Sequence, residues 1–342
     1  MDLIIKPLEA CNFKCTFCSS TNISSSPYNI LDIKLIKQFL DRFPNTTTII
    51  VNGGEPLLMK PEWYWEIVNY IVEKGLQTTL SFTSNLWVFY KNPEPWIPLF
   101  KHDLVFVGTS FNYGETRLIN ETTVLTEEIF VDVVTQFKKH IGYAPDFISV
   151  INEFNDAPDL VLKNVLLAKE LGVVCKLNYA MCSGAQESPY MMAKMYQFYL
   201  KIYQLGLQDY EYNTLQFIKS IKKSEPTTCP LLRACDEGIR CIQPDGDYYS
   251  CGSFADDKNY PIDFTKEVVE GDFITPLQND PNLFCLKDEC LSCPMFDICN
   301  GCKKTIYDMK EQGMEFIQEH CSIMKNVYAE FVSPTQISCF QI

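Results

Sequence analysis

Cys11-Asn12-Phe13-Lys14-Cys15-Thr16-Phe17-Cys18, near the start of a 342-residue chain, decides how the rest is read. Its cysteines are spaced C-x3-C-x2-C and follow the apolar run Leu3-Ile4-Ile5, so one loop at a strand end brings three sulfurs together. A [4Fe–4S] cluster is closed off by four thiolates. Three leave an iron open, and an open position is what separates a reactive metal site from a structural one. Two other readings compete: part of a zinc site, or a disulfide. Structural zinc sites take paired cysteines with a second pair close behind, whereas here the next cysteine is Cys175.

The composition narrows the setting. Hydrophobic residues make up 46% of the chain, enough for a sizeable core and one large domain plus a small one. Sixteen cysteines would suit a secreted disulfide protein. However, Met1 to Ala10 has no basic stretch followed by a long apolar one, so no signal peptide is visible. No apolar run reaches the roughly 18–20 residues of a membrane span. The chain therefore reads as cytoplasmic and metal-binding. A formal charge of −14 argues against nucleic acid, which selects a basic face; Lys219, Lys222 and Lys223 read as a solvated helix face.

Up to residue 207, short apolar strands alternate with amphipathic helices. The predicted strands are Leu3–Lys6, Thr47–Asn52, Gln77–Thr83, Leu104–Phe111, Phe147–Asn152 and Val173–Asn178. Helices are predicted over Asp32–Phe43, Glu62–Lys74, Thr126–His140, Ala157–Leu171 and Met191–Leu205, from apolar residues at helical spacing. Such alternation predicts a parallel sheet with helices outside, curled by right-handed crossovers into a partial (βα)6 barrel. Ligands of such folds collect at the C-terminal strand ends. The cysteine loop falls at one such end and Asn52-Gly53-Gly54-Glu55-Pro56 at another. Residues 208–228 read as a linker, 229–325 as a small cysteine-rich domain that needs metal to hold it, and 326–342 as a tail.

The C-x3-C-x2-C loop with its aromatic Phe17, followed by Gly53-Gly54-Glu55-Pro56 after the second strand, resembles the radical S-adenosylmethionine (SAM) superfamily. The resemblance implies that Cys11, Cys15 and Cys18 hold a [4Fe–4S] cluster whose open iron binds SAM, yielding a 5′-deoxyadenosyl radical that abstracts hydrogen. It places Gly53, Gly54, Glu55 and Pro56 along the methionyl end of SAM and Phe17 near its adenine. Glu55 also suits a helix N-terminus. By strand position Thr83, Ser110, Asn152 and Asn178 face the same mouth, with ordinary strand-end capping as their alternative role; Ser110 is the position that relatives commonly use for SAM.

Behind the barrel stand Cys235, Gly246 and Cys251, then Cys290-x2-Cys293-x5-Cys299-x2-Cys302, then Cys321. This array resembles the SPASM domain, the extension of a radical SAM subgroup that carries two auxiliary [4Fe–4S] clusters. Position by position, the resemblance assigns Cys235, Cys241, Cys251 and Cys302 to the first and Cys290, Cys293, Cys299 and Cys321 to the second. The family pattern has three residues where Cys299 and Cys302 are separated by two. Cys229 and Cys285 are possible substitutes; Cys175, Cys182 and Cys339 are left over, Cys175 as a small core residue and Cys182 as a candidate facing the cavity. The rival reading is a zinc knuckle of Cys290, Cys293, Cys299 and Cys302, since zinc and iron–sulfur sites share thiolate ligands.

Most relatives of this subgroup modify peptides, so the resemblance implies oxidative peptide maturation with SAM and three [4Fe–4S] clusters. Expected partners are a peptide substrate, with or without a separate recognition protein, and a flavodoxin or ferredoxin as reductant. One alternative is dehydrogenation of a small molecule such as a sugar alcohol. Another is sulfatase maturation, which in the family uses an aspartate where this chain has Gly252; Asp256 and Asp257 are the candidates nearby. A non-catalytic, zinc-stabilised binding protein is the alternative of a different class.

Overall fold

Six β-strands alternate with helices along the first 205 residues of the computed structural model, which describes residues 1–20, 29–222, 238–266, 288–299 and 302–332. The strands are β1 (Asp2–Ile5), β2 (Thr48–Val51), β3 (Thr79–Thr83), β4 (Val105–Ser110), β5 (Phe147–Ile151) and β6 (Cys175–Tyr179). Between them lie α1 (Ile33–Arg42), α2 (Pro61–Lys74), the short α3 (Trp87–Lys91) and α4 (Ile97–Phe100), α5 (Glu127–Ile141) and α6 (Pro158–Leu171). Helix α7 (Met192–Gln204) follows β6. The predicted strands and long helices all form, with ends shifted by a residue or two; α3 and α4 were not anticipated, being too short to show a period.

The six strands are parallel and neighbour one another in chain order, the sheet of a partial barrel. Alternation within each strand sets its two faces. Leu3, Ile5, Ile49, Val51, Leu80 and Phe82 are buried against Ile36, Phe39, Leu40, Ile67, Val68 and Ile71 of α1 and α2. Burying each such side chain contributes about 1.5–3 kcal/mol. The opposite, concave face is half-exposed and more polar, and presents Thr83, Ser110, Lys176 and Asn178.

The sheet does not stop at β1. Two further strands, β7 (Ile239–Ile242) and β8 (Tyr248–Tyr249), extend it; β7 runs parallel to β1 and β8 antiparallel to β7. The C-terminal part therefore begins as a continuation of the barrel sheet. It goes on through α9 (Gly252–Asp257), α10 (Phe296–Cys299), α11 (Lys303–Glu311) and α12 (Met314–Val332). Two of the predicted boundaries move. Residues 208–221, expected in a linker, form a 3-10 turn and helix α8 (Tyr212–Ile221), with Asn213, Thr214, Phe217 and Ile218 buried. Of the tail expected over 326–342, residues 326–332 instead complete α12, which packs on α7, and the rest lies outside the described residues.

Helix α8 has a physical task. Strand β6 is the free edge of the sheet, and edges expose unpaired backbone groups. Glu211, fully buried just before α8, accepts from the Leu177 N–H at 2.9 Å, while Asn213 donates to the Leu177 carbonyl at 2.6 Å and Tyr199 donates to it at 2.8 Å. The same Glu211 carboxylate caps α8 through the N–H groups of Asn213 and Thr214.

Candidate active site

The cysteine loop is held from several sides by backbone. Lys14 N–H donates to the Leu118 carbonyl at 2.8 Å and Thr16 N–H to Thr116 at 3.0 Å, both on the segment after β4. Ala185 N–H donates to the Cys18 carbonyl at 2.8 Å. On the remaining side, Gly54 N–H reaches the Leu8 carbonyl at 3.2 Å and Glu55 N–H the Ala10 carbonyl at 2.8 Å. A Cβ on Gly54 would stand 1.9 Å from the Ala10 oxygen, and one on Gly184 would stand 2.4 Å from the Cys18 oxygen. The glycine pair was expected to let backbone run close to a ligand; at Gly54 the first thing approached is the chain's own cysteine loop.

Cys11, Cys15 and Cys18 line one cavity of about 450 Å³ over the concave face of the sheet. Burial pushes the Cys11 thiol up to about 12, and Glu55, Cys15 and Cys18 add to the effect. Cys18 is raised by burial and then by Cys15. All three are free thiols, not a disulfide. Thiols crowded together away from water ionise readily only when a cation neutralises them, so the donor set fits an iron–sulfur cluster bound from this wall.

Phe17, Gly53, Gly54, Glu55, Thr83, Ser110 and Asn178 line the same cavity. Glu55 is nearly fully buried and accepts from Ser84 Oγ at 2.6 Å, Asn85 N at 2.9 Å and Leu57 N at 2.9 Å. It thereby ties the loop after β2 to the end of β3, and Asn85 Nδ2 continues the link to Asn12 Oδ1 at 2.8 Å. Pro56 opens the following 3-10 turn, buried behind the wall, with its carbonyl accepting from the Tyr64 hydroxyl. Asn152 also lies outside the wall: its side chain accepts from Phe154 N at 3.0 Å, the strand-end capping alternative.

Arg117 was missed from the sequence. Its guanidinium, 6% exposed, donates to Ser110 Oγ at 3.0 Å and Asn112 Oδ1 at 3.1 Å, lies 3.9 Å from Cys15 Sγ and covers the Phe17 ring at 5.0 Å. Burial acts to lower its pKa, and the thiols of Cys15, Cys18 and Cys11 act to raise it. A fixed cation thus stands beside three potential thiolates.

The C-terminal cysteines sort into two places. Cys251 and Cys302 face the large cavity, across from the N-terminal loop. Cys241 is fully buried in β7, raised to about 12 by burial, and adjoins Lys6 and Asp256. Cys290, Cys293, Cys299 and Cys321 line a separate small cavity. Burial and then the other three thiols push Cys299 far up. Of the four cysteines in the knuckle reading, Cys302 lines the large cavity instead, and Cys321, from α12, lines the small one with the other three. Buried His320 sets Nε2 2.9 Å from Cys299 Sγ, a neighbour no spacing pattern pointed to. Cys175 is a core residue. Cys229, Cys235, Cys285 and Cys339 lie outside the described residues.

Of the candidate catalytic residues, only Asp256 lines the cavity. It is paired with buried Lys6 and accepts from Ser19 Oγ at 2.9 Å. Asp257 instead pairs at 2.9 Å with Lys304, which also holds Asp308 and donates to the Cys182 carbonyl at 3.1 Å. The Cys182 thiol itself faces the Glu187 carbonyl rather than the cavity. Gly252 lines the cavity at the start of α9.

An open parallel sheet, a three-cysteine loop at the mouth and a cysteine-rich continuation define the radical SAM/SPASM fold. Comparison with known structures agrees. Native anSMEcpe with bound AdoMet superposes with a TM-score of 0.73 at 17% identity, covering 97% of this chain and 98% of that one. The anSMEcpe complex with AdoMet and the Cp18Cys peptide gives 0.70 at 17%, covering 97% and 98%. Streptococcus suis SuiB bound to the precursor peptide SuiA gives 0.60 at 15%, covering 88% and 71%. In sequence, the Cysteine-type anaerobic sulfatase-maturating enzyme of Clostridium novyi (strain NT) is 26% identical over 128 residues. That match spans 33% of this chain and about a third, 32%, of the relative. No family model matches the chain. Among the described residues, no helix is long and apolar enough to cross a membrane.

Proposed function

We propose that the chain is a radical SAM enzyme that oxidatively modifies a peptide. The observation that carries this reading is the convergence of Cys11, Cys15 and Cys18 on one cavity with Gly53, Ser110 and Arg117. In it, Cys11, Cys15 and Cys18 would hold a [4Fe–4S] cluster beside which SAM would bind. When bound, that pair supplies a radical able to abstract hydrogen from an unactivated carbon.

The chain's own residues have definable parts. Gly53 and Gly54 let their backbone close up on Leu8 and Ala10, and in this reading that backbone lines the cavity where the methionyl end of SAM is expected. Arg117 and Ser110 together offer a cationic and a hydroxyl donor to a carboxylate. Phe17, fixed under Arg117, offers an aromatic face. Cys251 and Cys302, with Cys235 and Cys241, are assigned to one auxiliary cluster, and Cys290, Cys293, Cys299 and Cys321 to the other. A peptide substrate is supported by the peptide-bound anSMEcpe and SuiB structures.

Sulfatase maturation is the second reading, favoured by the curated relative. Against it stands Gly252 where the family's aspartate is expected, while Asp256, the carboxylate that does line the cavity, is engaged by Lys6 and Ser19. The test is anaerobic reconstitution with iron and sulfide, then incubation with SAM, dithionite and either a sulfatase-derived cysteine peptide or a peptide encoded beside the gene. Loss of hydrogen from the encoded peptide supports cross-linking maturation. Formylglycine in the cysteine peptide supports the second reading, and neither product with either peptide contradicts both.

A further inference from the structure

The cavity is more basic than the molecule around it. Lys6, Arg117, Lys176, Lys303 and Lys304 line it against Glu55 and Asp256, in a chain of net charge −14. Most of these charges have internal duties. Lys6 pairs with Asp256, Lys304 with Asp257 and Asp308, and Arg117 serves Ser110, Asn112 and the thiols. Glu55 is consumed by Ser84 and Asn85.

Lys176 is different. It stands on the concave face of β6, and among the described residues it makes no ion pair; its ammonium lies 5.3 Å from the centre of the Tyr212 ring. Strand register fixes its position. Ser110 pairs with Ile148 and Ile148 with Lys176, so the three share one row across β4, β5 and β6. Two strand spacings of about 4.8 Å put Lys176 roughly 10 Å from Ser110. The row thus holds two cationic positions, Arg117 with Ser110 at one end and Lys176 at the other, with an apolar residue between. A carboxylate lying along this row would meet a cationic donor at both ends.

We infer that Lys176 receives a carboxylate of the peptide substrate, making the β5–β6 side of the cavity selective for an acidic residue or a free C-terminus. This rests on the peptide-modifying reading above and specifies its substrate class. The protein's overall field attracts cationic peptides and repels acidic ones, so a preference for an acidic peptide must arise locally.

The test uses short fluorescent peptides that differ at one position, Glu, Gln or Lys, each as C-terminal acid and amide. Binding to the reconstituted full-length protein is followed by anisotropy, with and without SAM. The expected result is binding of the Glu or free-acid probe about tenfold tighter than its neutral counterpart, and which of the two shows it identifies the carboxylate. Lys176→Met should erase the difference, Lys176→Arg should restore it, and the SAM dissociation constant should hold in both. Equal binding of acidic and neutral probes to the wild type overturns the inference without any variant. So does a rise in the SAM dissociation constant in Lys176→Met, which would assign Lys176 to SAM. A wild type that binds acidic probes selectively but never cleaves SAM supports the anion site while contradicting the enzymatic reading.

Discussion

An alanine at position 54 would drive its Cβ to 1.9 Å from the Ala10 carbonyl oxygen, where backbone faces backbone and nothing soft can yield. Gly54→Ala should therefore cost about 3 kcal/mol or more and strip iron from the N-terminal site while the C-terminal cysteines keep theirs. Denaturant melts and iron analysis check this, and wild-type values for both would contradict it. Arg117 makes a second case. Its fork donates to Ser110 and Asn112 at once, which a lysine ammonium cannot reproduce. Arg117→Lys should weaken SAM binding about tenfold by equilibrium dialysis; unchanged affinity would remove Arg117 from the SAM site. The cysteines and the glycine pair were legible because their spacing is local and chemically specific. Arg117 was not, since it lies 102 residues from Cys15 and only the turn after β4 brings it there.

At the scale of elements, the edge of the sheet explains a segment that looked like a linker. Glu211 is fully buried and satisfies the Leu177 N–H together with the first turn of α8. Glu211→Ala leaves several buried donors unpaired and should destabilise the fold by about 3 kcal/mol, read from urea unfolding. A loss below the error of the melt would contradict the edge-capping role. Helix α8 is only ten residues long and its buried face mixes the polar Asn213 and Thr214 with Phe217 and Ile218, so it read as linker, whereas the longer α2, α5 and α6 were visible from their apolar stripes. Helix α11 gives a pH signature. Burial pushes the Asp308 carboxyl up to about 6 from 3.8, and the neighbouring Asp257 adds to this although Lys304 opposes it. Between about pH 4 and pH 6 the folded chain then holds this proton more tightly than the unfolded one. Stability from this group is greatest below that interval and falls as pH rises through it, by roughly 2 kcal/mol after allowance for partial solvation. Asp308→Asn should flatten that part of the stability profile, and an unaltered slope would contradict the assignment.

Across the whole molecule, the decisive feature is one sheet shared by both cysteine-bearing parts. Because β7 extends the sheet from β1, Cys251 at the start of α9 faces the same cavity as Cys11, Cys15 and Cys18. Sequence spacing separated the parts but could not show that they share a sheet, since β7 is four residues long and pairs with a strand at the other end of the chain. The proposed function predicts about twelve irons per chain after reconstitution, from three clusters of four, falling to about eight when the N-terminal thiols are replaced. An unchanged iron count would contradict the N-terminal cluster. The most direct measurement is dithionite-driven SAM cleavage by the reconstituted wild type and by the Cys11→Ala, Cys15→Ala, Cys18→Ala triple variant, followed as 5′-deoxyadenosine release. The account predicts release by the wild type and none by the variant; equal release by both, or none by the wild type, would contradict it.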